Sequence, residues 1–183
     1  MERWGAVARV PGMRATAAAR AAPEDTDSFE SFYRGQVDIV YRALALTLTD
    51  AWLAREATDE AMLRAFARWS TVGRYDNPSA WVYRVGLNWA TSRWRRTSRE
   101  RPLSTEDRPG SARPPDPAGL AALAALGHLT VKHRAVVVAR VLLDLSTAET
   151  ASLLGIPQNT VKSRLARALA SLRAELTMGD DDE

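Results

Sequence analysis

A chain of 183 residues with 46% apolar and 26% charged residues can build one medium core or two small ones, and its composition is far from that of disordered chains. The absence of cysteine excludes disulfide frameworks, thiolate metal sites and cysteine nucleophiles, and two histidines, His128 and His133, cannot form a metal cluster by themselves. The net charge is only +3, but all of the 25 basic residues except Lys132 and Lys162 are arginine, the side chain that grips phosphates and guanine edges with a planar fork.

In chain order, residues 1–25 are rich in alanine and arginine, with Pro11, Gly12 and Pro23 and no sustained apolar core, and read as a mobile leader. From Ser28 the residues Phe29, Phe32, Tyr33, Val37, Val40, Tyr41 and Leu44 recur at helical spacing and predict one buried stripe. A second helix is expected over residues 51–69, with Asp50 as its cap and Leu53, Ala57, Ala61 and Phe66 inward. Gly73 and the Asn77-Pro78 pair predict a loop over residues 70–79. A third helix is expected over residues 80–99, with Val82, Val85 and Trp89 inward and Arg84, Asn88, Ser92 and Arg95 on the other face.

Five prolines between residues 102 and 117 predict an extended tether that holds no core. Beyond it, Leu120, Leu123 and Leu126 open a second unit, a valine-rich segment over 131–143 reads as helix, and two short helices are expected around Gly155. The fold expectation is therefore all-α: a leader (1–25), a helical domain (26–101), a Pro-rich linker (102–118), a second domain containing a helix-turn-helix (119–177) and an acidic tail (178–183). The longest uncharged apolar stretch, 117–131, is too short to span a bilayer, so no membrane span is expected, and the lack of cysteine fits a reducing cytoplasm, where the protein is expected.

The sharpest motif lies over residues 145–165. Ser146 and Glu149 have capping-box spacing, Gly155 suits a left-handed helix stop and Pro157 suits the start of the next helix. Ala148 and Ala151 permit close helix approach, while Ile156, Val161, Leu165, Leu169 and Leu172 form an inner stripe. Gln158, Asn159, Thr160, Lys162, Ser163, Arg164 and Arg167 then offer donors and acceptors to base edges and phosphates, as a recognition helix requires.

All tryptophans, tyrosines and phenylalanines precede Thr97. A duplex reader needs none, whereas aromatic faces beside a basic track stack unpaired bases. Tyr75, in the expected loop, is the foremost stacking candidate, and Trp89 reads as core. No paired acid/base carboxylates and no Gly-rich phosphate loop are apparent, so catalysis, cofactor and metal are not expected. His128 and His133 read as surface or capping residues, and the acidic tail as solvated.

The chain resembles the extracytoplasmic-function sigma factors of bacterial transcription initiation over about residues 28–176. In the second half the resemblance lies in Leu145-Ser146, Ala148-Glu149, Leu153-Leu154-Gly155-Ile156 and Thr160-Val161-Lys162-Ser163-Arg164-Leu165. In the first half it lies in Glu60-Ala61, Leu63-Arg64-Ala65-Phe66, Ala80-Trp81-Val82-Tyr83-Arg84-Val85, Asn88 and Trp94-Arg95-Arg96. The resemblance implies core RNA polymerase, promoter DNA and an anti-sigma factor as partners. It implies polymerase docking through the helix at 54–66, with Glu56, Asp59, Glu60 and Arg64. It implies minus-ten contacts from Tyr75, Arg84, Asn88, Arg95 and Arg96, and minus-thirty-five contacts from Gln158, Asn159, Thr160, Lys162, Ser163, Arg164 and Arg167. The chain departs from the family pattern at Glu56 and Asp59, where an Asp and a Gln are usual, at Met62, where an aromatic is usual, and at Thr130-Val131, where Pro-Pro is frequent. The other readings are a stand-alone helix-turn-helix regulator, which leaves the aromatic half unexplained, and a nucleic-acid-modifying enzyme, for which residues 28–99 offer no catalytic cluster.

Overall fold

The periodic stripe of the first segment winds into α1 (Asp25–Leu48), followed by α2 (Ala51–Phe66), the short α3 (Trp69–Val72) and α4 (Pro78–Glu100). The second half contains α5 (Pro117–His128), α6 (Val131–Val141), α7 (Thr147–Leu154) and α8 (Gln158–Asp180). This computed structural model describes residues 25–100 and 117–180, and every element among them is a helix, as the sequence predicts. The expected leader, save Asp25, most of the expected tether and the last three residues of the tail lie outside the described residues.

In the first half α2 packs against both α1 and α4. Val40, Leu44, Ala54, Ala57, Ala61, Val82 and Tyr83 are fully buried there. Gly86 sets the approach of α4, since a Cβ at that position would lie 2.7 Å from Leu44 Cδ1 and 3.0 Å from the Ala57 carbonyl oxygen. Asp50 caps α2 as expected, accepting a 2.9 Å bond from the Leu53 amide.

Several expectations need correction. The second helix stops at Phe66 rather than near Trp69, because Arg68 leaves helical geometry and the chain turns to bury Trp69. The Trp69 ring then lies 4.8 Å from Phe32 and 5.3 Å from Phe29, and α3 takes up the start of the expected loop, leaving residues 73–77 to connect to α4. Phe66, expected inward, is 52% exposed at the end of α2, although its ring centroid is 5.0 Å from that of Phe29. The helix after Gly155 is long rather than short: its inner stripe of Leu165, Ala168 and Leu172 continues to find partners in Leu126, Leu129 and Val137.

The two halves share one hydrophobic core. The cluster that contains Val40, Leu44 and Tyr83 continues through Val136, Val138, Ala139, Leu145, Leu153, Leu154 and Val161. The contact runs between α1 and α6 and between α4 and α7. No helix among the described residues is long and apolar enough to cross a membrane.

Candidate nucleic-acid interface

The helix-turn-helix is built from local chemistry. The Ser146 hydroxyl accepts from the Glu149 amide at 3.2 Å, and the Glu149 carboxylate accepts from the Ser146 amide at 2.8 Å, completing the capping box at the start of α7. The Ser146 side-chain and backbone bonds hold the Glu149 carboxyl below the usual carboxylate range. Gly155 stops α7 at φ 66°, in the left-handed region that glycine enters without steric cost. Thr150 and Ala151 are buried against neighbouring helices, whereas Ala148, expected at the close approach, is exposed: it falls on the outer face of the short helix.

On α8, Val161 and Ala168 are buried, and Leu165 and Leu172 are half-buried beside them. At 100° per residue, Asn159, Ser163 and Arg167 lie opposite that stripe, and all three are exposed. Gln158 and Lys162 are also exposed, while Thr160 and Arg164 are half-buried on the flanks. The seven residues expected to read duplex DNA therefore share one helix end, with amide, hydroxyl and basic groups at its outer centre.

The α4 residues are less uniform. Arg95 and Arg96 are exposed near its end, and Arg95 Nε donates to the Thr91 carbonyl at 3.2 Å. Asn88 is half-buried, with its Oδ1 enclosed and lacking a hydrogen-bond partner. Tyr75 packs partly against the core, so its ring is only partly available for stacking. Trp89, expected in the core, is half-buried at the core's edge, with the Arg93 guanidinium 5.3 Å from its ring centroid. Arg84 reaches the second half: it donates to the Ser152 carbonyl at 2.7 Å and to the Leu153 carbonyl, and burial lowers its pKa. A cavity of about 50 Å³ beside this contact is lined by Asp76, Asn77, Ala80, Leu145, Glu149 and Ser152, among others.

On α2, Asp59 is exposed and Glu56, Glu60 and Arg64 are half-buried. Arg64 pairs with Glu60 at 2.7 Å, and Glu56 pairs with Arg93 of α4 at 3.3 Å, so only part of this acidic face is open. Leu63 (65% exposed) and Trp52 (55% exposed) stand out beside the acids, apolar surface the sequence reading missed. A count of exposed positions on the i, i+3, i+4 face through Glu56 and Asp59 would have found Leu63.

Arg134 was also missed. It is buried, donates to the Thr47 carbonyl at 2.7 Å, and also reaches the Leu126, Gly127 and Leu129 carbonyls. His133 Nδ1 lies 2.8 Å from the Thr130 hydroxyl at the start of α6, a bond between two side chains that leaves the helix start without a side-chain cap. Among the described residues no group of three or more His, Asp or Glu side chains is placed to hold a metal ion.

A capped helix-turn-helix with an outward polar and basic second helix, packed on an aromatic, arginine-bearing helical unit, defines a DNA-binding protein of transcription. Residues 119–172 match the family model for Sigma-70, region 4. The RNA polymerase sigma-E factor of Streptomyces coelicolor is 36% identical over 160 residues, covering 84% of this chain and 89% of that protein. The ECF RNA polymerase sigma factor SigM of Mycobacterium tuberculosis is 35% identical over 151 residues, covering 81% of this chain and 76% of that one. The fold is similar to that of the sigma factor RpoE of Bartonella quintana, solved with the anti-sigma factor NepR, at TM-score 0.70 and 19% identity over 83% of this chain and 98% of that one. It is also similar to CnrH, solved with the cytosolic domain of CnrY, at TM-score 0.59 and 22% identity over 86% and 92% of the two chains. The chain belongs to the extracytoplasmic-function RNA polymerase sigma factors, and it is a sigma factor of transcription initiation. Because the relatives match both halves, a stand-alone helix-turn-helix regulator is set aside.

Proposed function

We propose that this sigma factor joins core RNA polymerase through the outward face of α2, with Glu56, Asp59, Glu60 and Arg64 in an acidic surface that also carries Leu63. The units 26–101 and 119–177 act as two readers joined by the linker 102–118, with the acidic tail at 178–183 beyond them. The outer face of α8, from Gln158 to Arg167, reads the duplex minus-thirty-five element, with Asn159, Ser163 and Arg167 nearest the base edges and Lys162 and Arg164 nearer the phosphates. Tyr75, Arg84, Asn88, Arg95 and Arg96 hold the unpaired minus-ten strand, where stacking, a side-chain amide and guanidinium charge suit separated bases. The protein works in the cytoplasm without catalysis of its own, and an anti-sigma protein restrains it, by analogy with the neighbours solved in complex with NepR and CnrY.

The observation that carries this reading is the exposed centre of α8 on a helix-turn-helix closed by its own capping box and glycine stop. The test is transcription from a genomic-fragment library with purified core polymerase, mapping transcript starts. Discrete start sites that appear only with the protein, and share a spaced pair of upstream elements, are expected. Start sites identical with and without it would overturn the reading.

A further inference from the structure

Each half of the molecule lends the other an arginine at the end of a helix. Arg84 of α4 donates to the carbonyls of Ser152 and Leu153, in the last turn of α7. Arg134 of α6 donates to the carbonyl of Thr47, in the last turn of α1. The last carbonyls of a helix have no partner within it and carry the negative end of its dipole, so a guanidinium fork suits each place. At the end of α7 the Gly155 and Ile156 amides both return to Ala151, which leaves the carbonyls of Ser152 and Leu153 to Arg84.

Arg134 is nearly fully buried, and its guanidinium donates to four main-chain carbonyls: Thr47 in one half, and Leu126, Gly127 and Leu129 in the other. It joins the ends of α1 and α5 in one fork. A charge placed this way is specific to the closed arrangement, because separating the halves removes the Thr47 partner and opens the group to water.

We propose that Arg84 and Arg134 form a paired latch that holds the two halves of the free sigma factor closed and withholds Arg84 from nucleic acid. The closed form leaves Asn159, Lys162, Ser163 and Arg167 exposed, so duplex reading stays open while strand capture is masked. Release of the latch frees Arg84 for the unpaired strand. The masking rests on the assignment of Arg84 to the strand-holding face; the latch itself does not.

The chain has no cysteine, so spin labels at Ser70→Cys and Ser171→Cys, both exposed, report the separation of the halves without background labelling. In the free full-length chain, one narrow distance distribution is expected. Arg134→Leu and Arg84→Met should each broaden it toward longer distances while the helical circular dichroism is kept. Arg84 is at the boundary between the halves, so its variant decides if Arg134→Leu fails to fold. A broad distribution in the parent, or a parent-like narrow one in Arg84→Met, overturns the latch. Binding of a fluorescein-labelled mixed-sequence single-stranded 12-mer reads the masking separately. If the open form is about a tenth of the free parent, Arg134→Leu should bind about tenfold more tightly. Arg84→Met should gain less. Opening without any gain in Arg134→Leu would overturn the masking and the role of Arg84 in strand capture, while the latch would stand.

Discussion

The phenol of Tyr83 and the hydroxyl of Thr47 lie 2.8 Å apart, both fully buried where α4 crosses the end of α1. The Thr47 hydroxyl also donates to the Ala43 carbonyl at 2.8 Å, so its one proton is committed and Tyr83 is the donor between the two. Burial raises the pKa of the phenol, which keeps it protonated. The carbonyl of the same threonine receives Arg134 from the second half.

That polarity predicts unequal costs for two conservative substitutions. Tyr83→Phe removes a donor and strands none, for a loss of about 1 kcal/mol. Thr47→Val leaves the phenol's donor buried without an acceptor and should cost about 1–3 kcal/mol. Denaturant titration of both variants and the double variant checks this: the double variant should be no less stable than Thr47→Val. Equal costs for the two single variants would mean that the pair has no preferred donor.

Ser146→Ala should lower stability by about 1 kcal/mol at neutral pH by opening the α7 cap. Glu149 has its pKa lowered below 4.5 in the folded chain, chiefly by the Ser146 side-chain bond. The stability it contributes is therefore present above its unfolded value and lost as pH falls through the lower folded value. The gap between parent and variant, followed by thermal melts, should narrow as pH falls below 4.5.

Gly86→Val should destabilise by about 1–3 kcal/mol, since added atoms meet both a core leucine and an α2 carbonyl. Gly35→Ala, with open space around its Cβ, is the control and should be neutral or stabilising by about 1 kcal/mol within α1. Comparing chemical denaturation midpoints separates the two.

Asn88→Ala removes an enclosed oxygen that lacks a partner, so it should leave stability unchanged or raise it. Permanganate reactivity of promoter thymines should nevertheless fall, because Asn88 is assigned to the separated strand. A stability loss with normal footprints would make Asn88 a structural residue.

On α8, Asn159→Ala should alter base preference at one promoter position, at about 1–3 kcal/mol, because Asn159 lies at the outer centre. Arg164→Ala, on the half-buried flank, should weaken all sequences alike and reduce the salt dependence. Binding to a randomised duplex library at two salt concentrations distinguishes these patterns.

Periodicity, capping and turn chemistry act over a few residues, and the sequence by itself therefore determined the all-helical fold, the Asp50 cap, the Ser146–Glu149 box, the Gly155 stop and the outward face of α8. The end of α2 at Phe66 and the separate turn of α3 were decided by Trp69 meeting Phe29 and Phe32 from α1, a contact that no local window contains. The length of α8 followed from partners in α5 and α6. Only the tertiary structure decided what Arg84 and Arg134 bind. An arginine's place in a helical pattern gives the direction of its stem, but the carbonyls that accept its charge belong to helix ends 87 and 68 residues distant for the Thr47 and Ser152 contacts, brought together by the shared core.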